Sequence, residues 1–142
     1  MALMVTGFTL SLRAQEISIA ELKKYIVTMD SIETLKDQLS VTINNLSKGN
    51  DKITPQRFSE LSPIITNETK LAEAKATPDE IAYVKKAAAT RTEETKKFQK
   101  SCQAIIDDYI GEAQFNKIRA GLRKDEKLKK QYDSLTTKPI RP

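Results

Sequence analysis

Histidine and tryptophan are absent from this chain, and cysteine occurs once, as Cys102. Without His there is no Ser-His-Asp triad and no imidazole metal site. A single Cys excludes Cys/His zinc modules and an intrachain disulfide framework. Four Gly and five Pro supply too few turns for an all-β sandwich or barrel. The longest apolar run, near the N-terminus, falls well short of the about 20 residues that a membrane-crossing helix needs. What is present is 142 residues, 39% apolar and 30% charged, the balance of one globular domain rather than a disordered tail.

Charge is unevenly placed. Lys and Arg number 24 against 19 Asp and Glu, a net +5. Residues 117–142 hold nine basic and three acidic side chains, so the remaining 116 residues are about neutral. The basicity belongs to the C-terminal segment and not to the domain as a whole.

Ala2–Leu10 is almost all apolar or small, and Ser11-Leu12-Arg13-Ala14-Gln15 follows. That order resembles the hydrophobic core and cleavage region of a secretory signal, cut after Ala14. Residues 1–14 are therefore expected to be a signal-peptide remnant and 15–142 a single exported domain, periplasmic or extracellular. The alternative is an N-terminal segment that stays packed on the domain.

Ser18-Ile19-Ala20-Glu21 has the form of a capping box, in which Ser takes an orphan N–H and Glu reaches back three residues. Leu22, Tyr25, Met29, Ile32, Lys36, Leu39, Ile43 and Leu46 then recur at alternating spacings of three and four. Gly49-Asn50 supplies a stop, since both residues tolerate the left-handed conformation. A helix of about 28 residues with a coiled-coil-like face is expected. Thr77-Pro78-Asp79-Glu80 repeats the start signal, with Pro where its missing N–H costs nothing. Its seam runs Ile81, Val84, Ala88, Arg91, Thr95, Phe98, Cys102, Ile105, Tyr109. Lys36, Arg91 and Thr95 interrupt the two seams, and their stems are expected to snorkel to water.

The segments after the two long helices match each other at an offset of 57. Ile53-Thr54-Pro55-Gln56-Arg57-Phe58 lies over Ile110-Gly111-Glu112-Ala113-Gln114-Phe115, continuing through Leu61/Ile118, Ile65/Leu122, Glu68/Asp125 and Leu71/Leu128. Thr54 and Asp125 are candidate caps, and Ser62-Pro63 a restart. The expected fold is all-α: two long antiparallel helices, each followed by short broken helices, forming a small helical bundle. It divides into two repeats, about 18–76 and 77–135, with a basic tail. Neither repeat carries enough apolar surface to stand alone, so each must close its stripe on the other.

These phrases resemble the bacterial domain of unknown function 4168 family, a set of mostly exported helical proteins. The residues that carry the likeness are Ile110, Gln114, Phe115, Asn116, Ile118, Asp125 and Leu128, and in the first repeat Ile53, Thr54, Arg57, Phe58, Leu61, Glu68 and Leu71. Tyr109 and Lys52 stand where the family pattern has Gly. The likeness spans about residues 17–135 and implies a helical fold and export, with no activity attached. Ile53, Phe58, Leu61, Leu71, Ile110, Phe115, Ile118 and Leu128 are expected to be its structural core.

For catalysis the chain offers little. Asp107-Asp108 and Glu93-Glu94 are neighbours, and helical neighbours diverge by about 100°, so neither forms a carboxylate pair on one substrate. No Gly-rich phosphate cradle and no nucleophile elbow are present. No enzyme activity, cofactor or metal is expected. Cys102, between Phe98 and Ile105 on the seam, reads as a small buried hydrophobe; off the seam it would be free to form an intermolecular disulfide. Asn45-Leu46-Ser47 and Asn67-Glu68-Thr69 fit the glycosylation sequon, which the bacterial resemblance makes a chance match.

One feature points outward. Lys117, Arg119, Arg123, Lys124, Lys127, Lys129 and Lys130 crowd fourteen positions, either as a solvated face or as contacts to an anionic surface or a partner. Phe115 and Tyr132 fall at core spacing and not on a stacking surface, so nucleic acid is not expected. The functional expectation is a non-enzymatic exported protein with a binding or envelope role, its partner a protein or envelope component. A periplasmic chaperone similar to the Spy/CpxP group and an anionic-surface binder are the alternatives.

Overall fold

The computed structural model describes residues 16–137, and the proposed signal segment lies outside the described residues. Among them the elements are α1 (Ile19–Ser47), α2 (Pro55–Leu61), a 3-10 turn (Ser62–Ile64), α3 (Glu68–Glu73), α4 (Pro78–Tyr109), α5 (Glu112–Lys124) and α6 (Glu126–Thr136). All are helical, and α1 and α4 form the largest helix pair. The Tyr83 hydroxyl near the start of α4 donates to the Leu46 carbonyl at the end of α1, 3.0 Å. Ile106 at the end of α4 meets the cluster around Leu22 and Tyr25 at the start of α1. The pair is therefore antiparallel.

The helix starts follow the caps in the sequence. Ser18 and Thr77 each accept from the backbone N–H of the Glu three residues on, and Glu21 and Glu80 reach back to complete both capping boxes. Thr54 caps α2 with Pro55 in its first turn, and Asp125 caps α6 through Lys127 and Leu128. Gly111, at φ +82°, leads α4 into α5. Gly49 closes α1 at φ +74°, and a Cβ there would stand 2.1 Å from the Ile53 carbonyl oxygen, so glycine alone fits. Asn67 is a cap that the repeat alignment passes over: it opens α3 one residue before the position matched with Asp125.

Packing concentrates at the two ends of the α1–α4 pair. At one end, α5 and α6 cover the start of α1, burying Leu22, Tyr25, Phe115, Ile118 and Leu128. At the other, α2 and α3 cover the start of α4, burying Ile53, Leu61, Leu71 and Val84. Each short-helix tail thus lies over the first turns of the long helix supplied by the other half of the chain. This crossing explains why neither half closes on itself.

The seam differs from its expectation in the middle. From Met29 to Ser47 in α1, and from Ala88 to Tyr109 in α4, no residue is fully buried. Leu35, Leu39, Ile43, Phe98, Cys102 and Ile105 are half-exposed, Lys36 and Arg91 are exposed, and Tyr109 stands 47% exposed. Ala87, not Ala88, is the buried alanine of α4. Two helices shield only the line between them, and a closed core needs a third or fourth neighbour. Tails supply those neighbours at the ends and leave the waist without them. Within the expected motif core, Phe58 and Ile110 are also only half-buried; the other six residues are buried.

Candidate functional site

The basic segment spans α5 and α6, whose inner faces hold Phe115, Ile118 and Leu128 against α1. At 3.6 residues per turn, Lys117 and Lys124 fall on one flank of α5 and Arg119 and Arg123 on the other. Lys117 and Lys127 line a groove of about 330 Å³ with Glu16, Asp125 and Gln131, so acids and an amide share it with the cations. Arg119 and Arg123 act from the opposite flank on Tyr25, whose phenol burial pushes upward and Tyr132 pushes further, while the two cations pull it back. Lys124, Lys129 and Lys130 are exposed. None of the seven makes an ion pair among the described residues. Lys117 and Lys127 thus share one groove, while Arg119 and Arg123 lie near Tyr25.

Three further grooves follow the long helices. Val27, Thr28, Ser31, Ile105, Asp108 and Tyr109 enclose about 360 Å³. Leu35, Leu39, Thr42, Glu94, Lys97 and Phe98 border about 230 Å³ farther along. On α1 these side chains share one stripe, displaced from the stripe of Leu22, Tyr25 and Met29 that α5 and α6 cover. The third groove, also about 360 Å³, lies under α2 between Ile43, Leu46, Phe58, Ile65, Val84, Ala87, Ala88 and Arg91. Arg91 sits there at the level of Ile43, two turns along from Lys36, so the two seam interruptions do not meet. Lys36 instead pairs with Glu33 on its own helix, 3.0 Å.

Electrostatic strength gathers at Arg57. Its Nε donates to Glu80 Oε1 at 3.0 Å, one Nη to Glu60 at 3.3 Å and the other to the Ala74 carbonyl at 2.7 Å. The Arg57 and Glu80 side chains are only 25% and 15% exposed. Glu80 also accepts from the Thr77 backbone N–H at 2.8 Å, so one carboxylate closes a capping box and anchors α2. Arg57 first, then Thr77, holds the Glu80 carboxyl below its ordinary value. A depressed carboxyl stabilises above its unfolded value of about 4.5 and loses that contribution as pH falls through the folded value. Arg57→Met should therefore lower the melting temperature at pH 7 clearly more than Lys36→Met, whose side chain is 60% exposed. The gap between native and Arg57→Met should narrow as a pH series descends below 4.5; a gap independent of pH would assign the loss to packing alone.

At the position matched with Arg57 stands Gln114, whose amide nitrogen is buried without a hydrogen-bond partner among the described residues. The two ends are thus locked differently, one by an ion-pair cluster beside the single pair Phe58–Tyr83 and one by three aromatics. Tyr25 meets Phe115 at a tilt of 38° with centroids 5.0 Å apart, and Tyr132 edge-on at 6.2 Å.

Burial pushes the Cys102 thiol up, which disfavours the reactive thiolate. Among the described residues no group of three or more metal-ligating side chains comes together, and no helix is long and apolar enough to cross a membrane. The groove under α2 escaped the seam reading, which treated Arg91 as an interruption. Aligning the long helices on their capping boxes, at an offset of 59, reveals a signal: Tyr25, Met29 and Ile32 answer to Val84, Ala88 and Arg91. Comparison of the chain with protein-family models, curated proteins and solved structures finds no match.

Proposed function

We propose that this chain is a non-enzymatic helical protein that acts by binding, exported from a bacterial cell and related in kind to the domain of unknown function 4168 family. The half-open waist carries the reading. Leu35, Leu39, Phe98 and Ile105 remain partly in water along a helix pair with no third helix beside it among the described residues, and apolar side chains left half-covered on one face are surface that a partner can bury. The fluorescent probe 8-anilinonaphthalene-1-sulfonate should bind the native chain. Leu35→Glu with Leu39→Glu, which spares both end cores, should weaken that signal several-fold without unfolding the protein. An unchanged signal moves the binding surface off the waist and sinks the reading. Export adds its own result: a periplasmic product beginning at Gln15. Recovery of the chain with Met1 intact in the cytosol overturns it.

The second reading is a chaperone similar to the Spy/CpxP group, favoured by Val27 at 39% and Tyr109 at 47% exposure bordering one groove. Near-stoichiometric protein should then suppress aggregation of a heat-denatured client, and Val27→Ser with Tyr109→Ser should abolish the effect. An anionic-surface role through residues 117–130 predicts instead a binding affinity that falls steeply with salt.

A further inference from the structure

The two ends of the molecule are built from matching positions, so each can be compared with its twin. Around the short helices the match is at 57: Phe58 answers to Phe115 and Ile65 to Leu122. Along the long helices it is at 59. At the α5–α6 end, Tyr25 is buried against Phe115 and Tyr132, with Met29, Ile32 and Ile106 packed around them. At the α2–α3 end those four filling positions hold Val84, Ala88, Arg91 and Ser47. Tyrosine has become valine, methionine alanine, and two isoleucines an arginine and a serine. The volume removed is where the groove of about 360 Å³ opens. Phe58, twin of the 7% exposed Phe115, is left half-exposed on its wall.

The walls are mostly aliphatic and aromatic, with a short polar edge that includes Arg91 and Thr92. Arg91 makes no ion pair and no side-chain hydrogen bond among the described residues. A cavity of this size, apolar along its length with few polar groups, has the form of a small-ligand site. A lone guanidinium beside apolar walls is matched by a carboxylate, which it can hold in two parallel hydrogen bonds. From Val84 to Thr92 the groove follows α4 for about 12 Å, which a zigzag alkyl chain of about ten carbons spans, since it advances about 1.25 Å per C–C bond.

We propose that the groove between α1, α2 and the start of α4 binds a medium-chain fatty acid, its alkyl chain along Val84, Ala88 and Phe58 and its carboxylate on Arg91. This rests on the reading of the chain as a binding protein but uses a different surface, so the two stand or fall separately. Isothermal titration calorimetry of the full chain with decanoate, below its micelle concentration, should give one site in the micromolar range. Decanol, with the same chain and no charge, should bind about tenfold more weakly. Arg91→Gln, an exposed substitution that spares both end cores, should remove that advantage and leave decanol unaffected. Ala88→Met with Arg91→Ile copies the filled twin, and should abolish decanoate binding while melting at or above the native temperature. The waist signal of 8-anilinonaphthalene-1-sulfonate should survive in that variant. Absence of decanoate binding to the native chain overturns the proposal, as does equal binding by both variants. Co-sedimentation with phosphatidylglycerol vesicles without decanoate binding overturns it too, in favour of a membrane surface.

Discussion

Replacing Ile118 or Leu61 with alanine should destabilise the protein by about 2–5 kcal/mol in either case. Both side chains are 0% exposed, and both occupy the same place in their repeats, on the inner face of the first short helix. Each anchors one tail: Ile118 holds α5 against the start of α1, and Leu61 holds α2 against the start of α4. Deleting three methyl or methylene carbons removes their transfer free energy and leaves a void that closely fitted neighbours only partly close. At a chain length of this order each kcal/mol moves the thermal midpoint by about 3–5 °C. Denaturant titration of both variants beside the native protein is the measurement. Because the two cores lie at opposite ends of a half-open waist, the double variant should be additive within about 0.5 kcal/mol. A change below 1 kcal/mol in both would mean that these helices are not held as described.

Phe115→Ala should cost about 3–5 kcal/mol, and Phe58→Ala clearly less. The two phenylalanines are equivalent in the repeat, yet Phe115 is 7% exposed and meets Tyr25 with ring centroids 5.0 Å apart, whereas Phe58 is half-exposed. Phe58 does meet Tyr83 edge-on at 6.0 Å, so its loss is not free. Equal losses, measured by chemical denaturation under one condition, would show that the groove beside Phe58 closes in solution. That outcome would also weaken the assignment of the groove as a ligand site.

Much of the architecture was legible because its signals are local. A capping box needs residues only three apart, so Ser18/Glu21 and Thr77/Glu80 located the starts of α1 and α4 directly. Gly49, Thr54, Gly111 and Asp125 marked breaks for the same reason: each satisfies or relieves backbone groups within a few positions. The repeat at 57 likewise pointed to Leu61/Ile118 and Leu71/Leu128, which are buried.

The candidate site was much less legible. Helical spacing says which side chains share a face, not how many helices cover it. Leu39, Ile43, Phe98 and Cys102 kept perfect seam spacing and still remained half-exposed. Seven cations crowd fourteen residues of sequence, and the helix places Lys117 and Arg119 on different flanks of α5. Arg57 read as a motif residue, while its bonds to Glu80 and Ala74 lie 23 and 17 positions away.

The sequence by itself determined that this chain is helical and where its two long helices begin, since caps and spacing act over a few bonds. Only the tertiary structure decided that each tail crosses to the other copy's long helix and that the waist stays uncovered. It alone decided that small residues at one end leave an open groove where large ones fill the other. Those outcomes depend on which surfaces meet across the chain and on how much volume the meeting side chains bring, and neither is written in the spacing along one helix.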